Sequence, residues 1–420
     1  MKFYKLLSSL LVIAMFSSTN VAFGNGSEAD YGQCEMTISI NNVGFENGVS
    51  PNNFCEPVIV GYFGAGNFHL SGLYNGTVEY SGQTFEISNP FSPNIHEMLT
   101  FYIVGADGEE VGDYIRFSGK TRLDTAIEVS KQGWPKGLKY PHEKSVILAR
   151  ADNPVDALAG SGLSGAKDAP ILLTYPSRID QSVLNEISRL KTDKIYLLGG
   201  TSAISTTVEK KLLKLGYDVE RVAGATRFDT AANINKIVSR VNFTNTNAII
   251  VNGYTVADAL SASAHASLVA EPIYLANSDE LPVNLPDTIT SVDIYGGKAV
   301  ISEKLSAQLE SKGITVNRIA GSNRYATSVA AAQHLSDSRF NYILVRGEST
   351  STTKQDYPDA VVASGLSHQF GAQIVLIHPT ETRQEVKDYL KNKSGRVFVL
   401  GGDNAISEDV LVNLELGVTE

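Results

Sequence analysis

From about residue 146 onward the chain reads as short apolar runs separated by longer amphipathic stretches. Residues 146–149, 171–174 and 195–198 are runs of this kind. They lack the in–out alternation of a half-buried strand, as expected of strands covered on both faces of a parallel sheet. Between them, 181–190 and 206–215 carry the helical period. Ser205 precedes the second as an N-cap residue, and Gly216 follows it as the residue that leaves a helix with positive φ; Ser302 and Gly313 repeat the pair further on. Strands alternating with helices predict layered α/β modules with right-handed crossovers. Residues from about 30 to 112 follow a different rhythm. Residues 36–40, 77–80 and 84–87 alternate with a period of two, punctuated by Asn47-Gly48, Asn75-Gly76, Ser81-Gly82 and Asp107-Gly108. They predict a small all-β, sandwich-like domain with a hairpin turning at Ser81-Gly82. Its aromatics, Tyr62, Phe63, Phe68 and Tyr74, read either as core or as a ligand surface.

The α/β part is one unit of about one hundred residues written three times, a period that fits one small domain per copy. Three landmarks recur in order. The first is an arginine pair around a glycine and followed by a threonine: Arg116, Gly119, Arg122, Thr125; Arg221, Gly224, Arg227, Thr230; Arg318, Gly321, Arg324, Thr327. The second starts at Asp156, Asp258 and Asp359, each followed by Ala and then Leu or Val. The third is a glycine pair, Gly199-Gly200, Gly296-Gly297 and Gly401-Gly402, ahead of Ser205, Ser302 and Ser407. Copies also differ by insertions. Residues 132–143 hold the chain's single Trp, Trp134, and 348–355 are rich in Ser and Thr; such loops are expected on the surface.

Charge and cysteine content narrow the partners. The formal net charge is −10, and removal of Lys2 and Lys5 takes it to −12. An acidic chain is a poor non-specific ligand for nucleic acid, so an anionic partner has to be held by locally clustered arginine. Lys2 and Lys5, the apolar stretch 6–16 and the Ala22-Phe23-Gly24 site read as a signal peptide over 1–24, with a mature chain starting near Asn25 and no membrane span once the signal is cleaved. Cys34 and Cys55 are the only cysteines. In an exported chain they form one disulfide, worth about 3 kcal/mol, or remain two buried thiols.

Each landmark admits a structural and a functional reading. Thr121 with Asp124, and Thr226 with Asp229, have capping-box spacing; Asn323 can cap, but Ala326 cannot close the box. The arginines persist in all three copies while their neighbours drift, so either the fold needs a salt bridge there or a ligand needs guanidinium. Arginine forks match phosphate and carboxylate, and helix N-termini attract anions. Asp156, Asp258 and Asp359 also have capping-box spacing, from Asn153, Thr255 and Asp356, and precede runs of Ala, Ser and Gly that would let helices approach closely. They read as buried inter-repeat partners or as ligand contacts. The glycine pairs read as tight strand-to-helix turns or as a phosphate cradle, without the spacing of a dinucleotide fingerprint or the lysine of a P-loop. The seven histidines are scattered and do not recur, and no metal-binding, nucleophile-elbow or catalytic set is present, so neither a metal, a cofactor nor an enzyme activity is expected.

With these landmarks in place the chain resembles the cell wall-binding repeat 2 family, on the arginine–glycine–arginine motif, the Asp-Ala-Leu helix, Pro170-Ile-Leu-Leu173 with its weaker copy at 272–275, and the glycine-pair motif. The third copy departs at Ala326, Ser328 and 373–376. The resemblance implies a Gram-positive surface protein held non-covalently, with three α/β domains in a pseudo-threefold disc that binds an anionic secondary wall polymer of polysaccharide or teichoic type. Peptidoglycan itself is the alternative partner. It makes Arg116, Arg122, Arg221, Arg227, Arg318 and Arg324 candidates for polymer contact or for building its groove. The expected division is a signal peptide at 1–24, a β domain at 25–115, and repeats at 116–220, 221–317 and 318–420. A wall hydrolase, or a modifier of one, with its activity in 25–115 is the competing expectation; a nucleotide-binding α/β protein is a third, disfavoured by the missing fingerprints.

Overall fold

The computed structural model describes the strands between residues 11 and 104 as backbone, and residues 114–416 apart from 140–141, 154–158, 336–340, 352–355, 392 and 394. The chain divides into two compact units, Met1–Ile115 and Arg116–Glu420. In the first, the described residues form two four-stranded sheets. Asn75–Tyr80 and Gln83–Ser88 pair antiparallel with Tyr80 opposite Gln83, where the hairpin is expected. Leu11–Phe16, inside the expected signal, pairs antiparallel with Glu97–Val104. Cys34 and Cys55 lie outside the described residues.

The second unit contains three four-stranded sheets, one per α/β module, as the strand–helix alternation predicts. In the first sheet Ile171–Thr174, Ser145–Arg150, Lys194–Leu198 and Asp218–Val222 lie side by side, all parallel. The second repeats this order with Ile273–Ala276, Asn247–Asn252, Ser291–Tyr295 and Thr315–Ile319. The runs 146–149 and 248–251 are fully buried because helices cover both faces, which explains their lack of alternation. The fourth strand of each of these two sheets carries the first arginine of the following copy, Arg221 or Arg318. The third sheet, Ala372–Ile377, Asn341–Arg346 and Val397–Leu400, is completed by Tyr114–Phe117, the strand that runs into the first copy. The backbone repeats this substitution: Gly199, Gly296 and Gly401 donate to the carbonyls of Val222, Ile319 and Phe117, each at 2.9 Å.

The small-residue helices Gly160–Lys167, Val256–Val269 and Pro358–Phe370 pack on one another, each against the other two. Their composition permits it. A Cβ at Gly162 or Gly165 would run into the backbone oxygen of Glu271 or Ser267. Ser267 Oγ donates to Ser364 O at 2.7 Å, and His368 Nδ1 to Ser267 O at 3.2 Å. The helix opening each copy lies on the central helix of another copy: Arg122–Gly133 on Pro358–Phe370, Arg227–Val241 on Gly160–Lys167, and Arg324–His334 on Val256–Val269. The pseudo-threefold ring is thereby closed by helices as well as by the strand exchange. Trp134, at the end of the first of these helices, is buried rather than on a surface loop. Its ring faces the gap over Gly365, and its Nε1 donates to Asp168 O at 3.2 Å.

Candidate functional site

In each copy the first landmark is a strand end, a glycine turn and a helix start. The turn folds so closely onto the helix that a Cβ at Gly119, Gly224 or Gly321 would overlap the residues five and six positions on. The same glycines donate their N–H to Thr125, Thr230 and Thr327 Oγ1 at 3.1, 3.0 and 3.0 Å, which accounts for the repeated threonine. Thr121 with Asp124 and Thr226 with Asp229 form full capping boxes. Asn323 caps the third helix alone, accepting from Tyr325 and Ala326 N–H.

This turn aims the two arginines in different directions. The first reaches along the sheet edge to the glycine pair. Arg116, Arg221 and Arg318 Nη1 donate to the carbonyls of Gly401, Gly199 and Gly296 at 2.9, 2.8 and 2.9 Å. Their Nη2 atoms meet the helix that follows, at Glu408 Oε1 (2.9 Å), Glu209 Oε2 (2.9 Å) and Ser306 Oγ (2.8 Å). These arginines tie the first landmark of one copy to the third landmark of another. Gly199, Gly296 and Gly401 hold φ of 97°, 116° and 101°, a left-handed conformation that favours glycine. A Cβ at Gly200, Gly297 or Gly402 would meet nothing within 4 Å.

The second arginine sits at the helix N-terminus and donates to the carbonyl just past the first strand of its own sheet: Arg122 to Ala151 O at 2.7 Å, Arg227 to Gly253 O at 2.7 Å and Arg324 to Gly347 O at 2.9 Å. Beyond that shared bond the three environments differ. Arg122 forms a two-pronged pair with Asp356 of the third copy, at 2.7 and 3.1 Å. Arg324 meets Tyr357 Oη at 3.1 Å and Glu348 at 3.5 Å. Arg227 stacks on the exposed Tyr254 ring at 4.7 Å, and among the described residues no carboxylate pairs with it. Tyr254, Glu348, Asp356 and Tyr357 were not among the expected site residues. Only Asp356 had a sequence signal, as an expected cap.

The expected capping boxes of the second landmark do not form where the structure describes them. Thr255 makes no side-chain cap bond, and the third helix is capped at Tyr357 with Pro358 following. The aspartates turn instead to the glycine pairs: Asp258 and Asp359 lie against Gly296 and Gly401, in the space a Cβ there would need. Asp156 lies outside the described residues. Burial pushes the Asp258 carboxyl up to about 6, opposed by Arg324 of the next copy. Asp359 is raised by burial too, against a hydrogen bond from Thr125 and the charge of Arg122. Where the structure describes them, arginine, aspartate and glycine pair gather at the carboxyl ends of the strands, Arg324 with Asp258 and Gly296, Arg122 with Asp359 and Gly401, beside the point where strand order reverses between the first and third strands. Open α/β sheets bind ligands at that point. Each of these two places holds a guanidinium at a helix N-terminus, and a Cβ on the second glycine there would meet nothing within 4 Å.

Comparison with known proteins agrees with this architecture. The model of cell wall binding domain 2 (CWB2) matches residues 116–209, 221–306 and 318–411. The amidase enhancer of Bacillus subtilis is 30% identical over 312 residues, 74% of this chain and 41% of that protein. N-acetylmuramoyl-L-alanine amidase LytC of the same organism is 26% identical over 306 residues, 71% of this chain and 58% of LytC. The chain therefore aligns with roughly two fifths to three fifths of the length of these relatives. Among solved structures, Cwp8 from Clostridium difficile superposes with a TM-score of 0.63 at 25% identity, covering 83% of this chain and 58% of Cwp8. Cwp6 from the same organism superposes at 0.64 with 22% identity, covering 88% of this chain and 59% of Cwp6, a likeness of fold. With three matched copies spanning most of residues 116–411, the chain belongs to the cell wall binding domain 2 family.

Proposed function

We propose that the three repeats anchor an exported protein non-covalently to a Gram-positive cell wall by gripping an anionic secondary wall polymer, while the N-terminal β domain is displayed for interaction. The observation that carries this reading is the repeated placement of Arg122, Arg227 and Arg324. All three are held by the same carbonyl bond at a helix N-terminus, and Arg122 and Arg324 face acidic residues of another copy. Guanidinium and helix N-terminus together favour phosphate and carboxylate groups. Arg116, Arg221 and Arg318 build the groove by fixing the glycine turns. Three such sites in one chain would let a polymer be held at several points, which raises avidity without any one site being strong.

The test is co-sedimentation of the full chain with native walls and with walls chemically stripped of secondary polymer. Retention on native walls alone, weakened by salt, is expected. Equal retention on both would point to peptidoglycan as the partner, and loss from both would reject wall anchoring. A second reading, a wall hydrolase or a modifier of one acting through residues 25–115, is favoured by the names of the two Bacillus subtilis relatives. Digestion of peptidoglycan by the purified chain, or stimulation of an amidase, would establish it.

A further inference from the structure

A second polar cluster lies between the second module and the third repeat. His265 comes from the central helix Val256–Val269, Asp293 from the strand Ser291–Tyr295, and His334 from the end of the helix Arg324–His334. One ligand-type atom from each lies within 4.8 Å of the other two. His334 Nε2 is 3.3 Å from Asp293 Oδ2, and His265 Nε2 is 3.1 Å from Glu271 Oε2. Two ligand atoms about 2.0–2.1 Å from one tetrahedral ion lie about 3.3 Å apart, so the His334–Asp293 spacing suits a shared ion.

Two further observations point to a ligand. Glu271 is 2% exposed, and its Oε2 lies 3.1 Å from His265 Nε2 without a hydrogen bond of good geometry. A buried carboxylate oxygen left so is costly unless something else meets it. The other copies supply the second comparison. Seven residues after the landmark aspartate, where this copy has His265, the others have Leu163 and Leu366. Three residues before the glycine pair, in place of Asp293, stand Tyr196 and Phe398. In place of Glu271 stand Ala169 and Ala372, and ten residues after the second arginine His334 is replaced by Gln132 and Ile237. Four ionisable side chains have thus gathered at one of three equivalent positions that the same fold otherwise fills with mostly apolar residues. The surrounding bonds orient the carboxylates: Asn317 Nδ2 donates to Asp293 Oδ1 at 2.9 Å, and Asn247 Nδ2 to Glu271 Oε1 at 2.6 Å and to Asp293 Oδ2 at 3.0 Å. Tyr295 Oη lies 2.7 Å from His265 Nδ1, fixing that ring from its other side. Outer partners of this kind set the orientation of ligating side chains.

We infer that His265, Asp293 and His334, beside the buried Glu271, bind a divalent transition-metal ion of the zinc class that clips the second module to the third repeat. Two imidazoles with carboxylates suit such an ion, whereas magnesium and calcium prefer all-oxygen sets. The ion would bridge residues contributed by two repeats, and so act on their packing.

The experiment uses the tag-free full chain, stripped with chelator and dialysed against Zn2+. One ion per chain is expected, with the thermal midpoint raised by about 5 °C. His334→Gln and His265→Leu install residues that other copies carry at the same positions. Each should bind Zn2+ at least about tenfold more weakly and lose the metal-dependent shift while its circular dichroism stays that of the wild type. His334 is partly exposed, so that variant keeps the test decisive if His265→Leu misfolds. No stoichiometric uptake of Zn2+, Co2+ or Ni2+ by the wild type, or undiminished uptake by a folded His334→Gln, would overturn the inference.

Discussion

The two arginines of each copy stand six residues apart and do different work. Arg221 holds the Gly199 carbonyl and Glu209, so it belongs to the fold. Arg227 holds one carbonyl and stacks on the exposed Tyr254 ring. Arg221→Ala should therefore destabilise the chain by about 1–3 kcal/mol, seen as a lower thermal midpoint. Arg227→Ala should lower the midpoint less than Arg221→Ala, having no carboxylate partner among the described residues to leave behind, and weaken wall binding by about tenfold, because a charged hydrogen-bond donor contributes about 1.5–3 kcal/mol. Equal effects of the two variants on both readouts would refute this division. Asp258 adds a pH dependence. Its carboxyl is raised to about 6, above the ordinary value of 3.8. The folded state holds that proton more tightly than the unfolded one, so the stability linked to this group is present at low pH and is lost as pH rises from about 4 to 6. Its protonation also removes a negative charge beside Arg324. Polymer affinity should thus increase from pH 7 to pH 5, and Asp258→Asn should flatten that part of the profile.

At the scale of elements, the central helices owe their closeness to what they lack. Gly165 faces the Ser267 carbonyl with no room for a methyl group, and the helix containing it packs on both other central helices. Gly165→Ala should cost about 1–3 kcal/mol by overpacking, although alanine is the better helix former. Denaturant unfolding decides it, since a gain in stability would show that the helices can part at little cost. Much of this element was legible: the small-residue run after each landmark aspartate predicts close packing between copies. Its cap was not. Thr255 and Asp258 have capping-box spacing, but the aspartate meets Gly296, 38 residues away, and local spacing cannot reveal a partner at that distance.

At the scale of the molecule, the repeat seen in the sequence and the module seen in space are offset by one strand. The fourth strand of the first and second sheets runs across the boundary into the next copy, and the third takes Tyr114–Phe117, which runs into the first copy. A fragment of residues 119–420 should therefore leave the strand Val397–Leu400 as a bare edge and unfold at a lower temperature than a fragment of 113–420. Equal midpoints and equal hydrogen-exchange protection of residues 397–400 would show that this strand closes nothing. The same offset means that a copy cut at its sequence boundaries is not a self-contained sheet.

The sequence alone determined the three copies, the parallel-sheet modules, the landmark turns and the family. These depend on periodicity, capping and glycine geometry, which act over a few residues or recur at a fixed interval. It also singled out the arginines, but not which groups each of them meets. Only the tertiary structure decided that, because a guanidinium's partner depends on which carbonyl the fold brings within about 3 Å. It likewise decided that Asp356 meets Arg122, 234 residues away, and that His265 and His334, scattered in the sequence, come together with Asp293. Pairs so distant along the chain leave no local pattern. Their contact arises from the packing of one copy's helix against another copy's core.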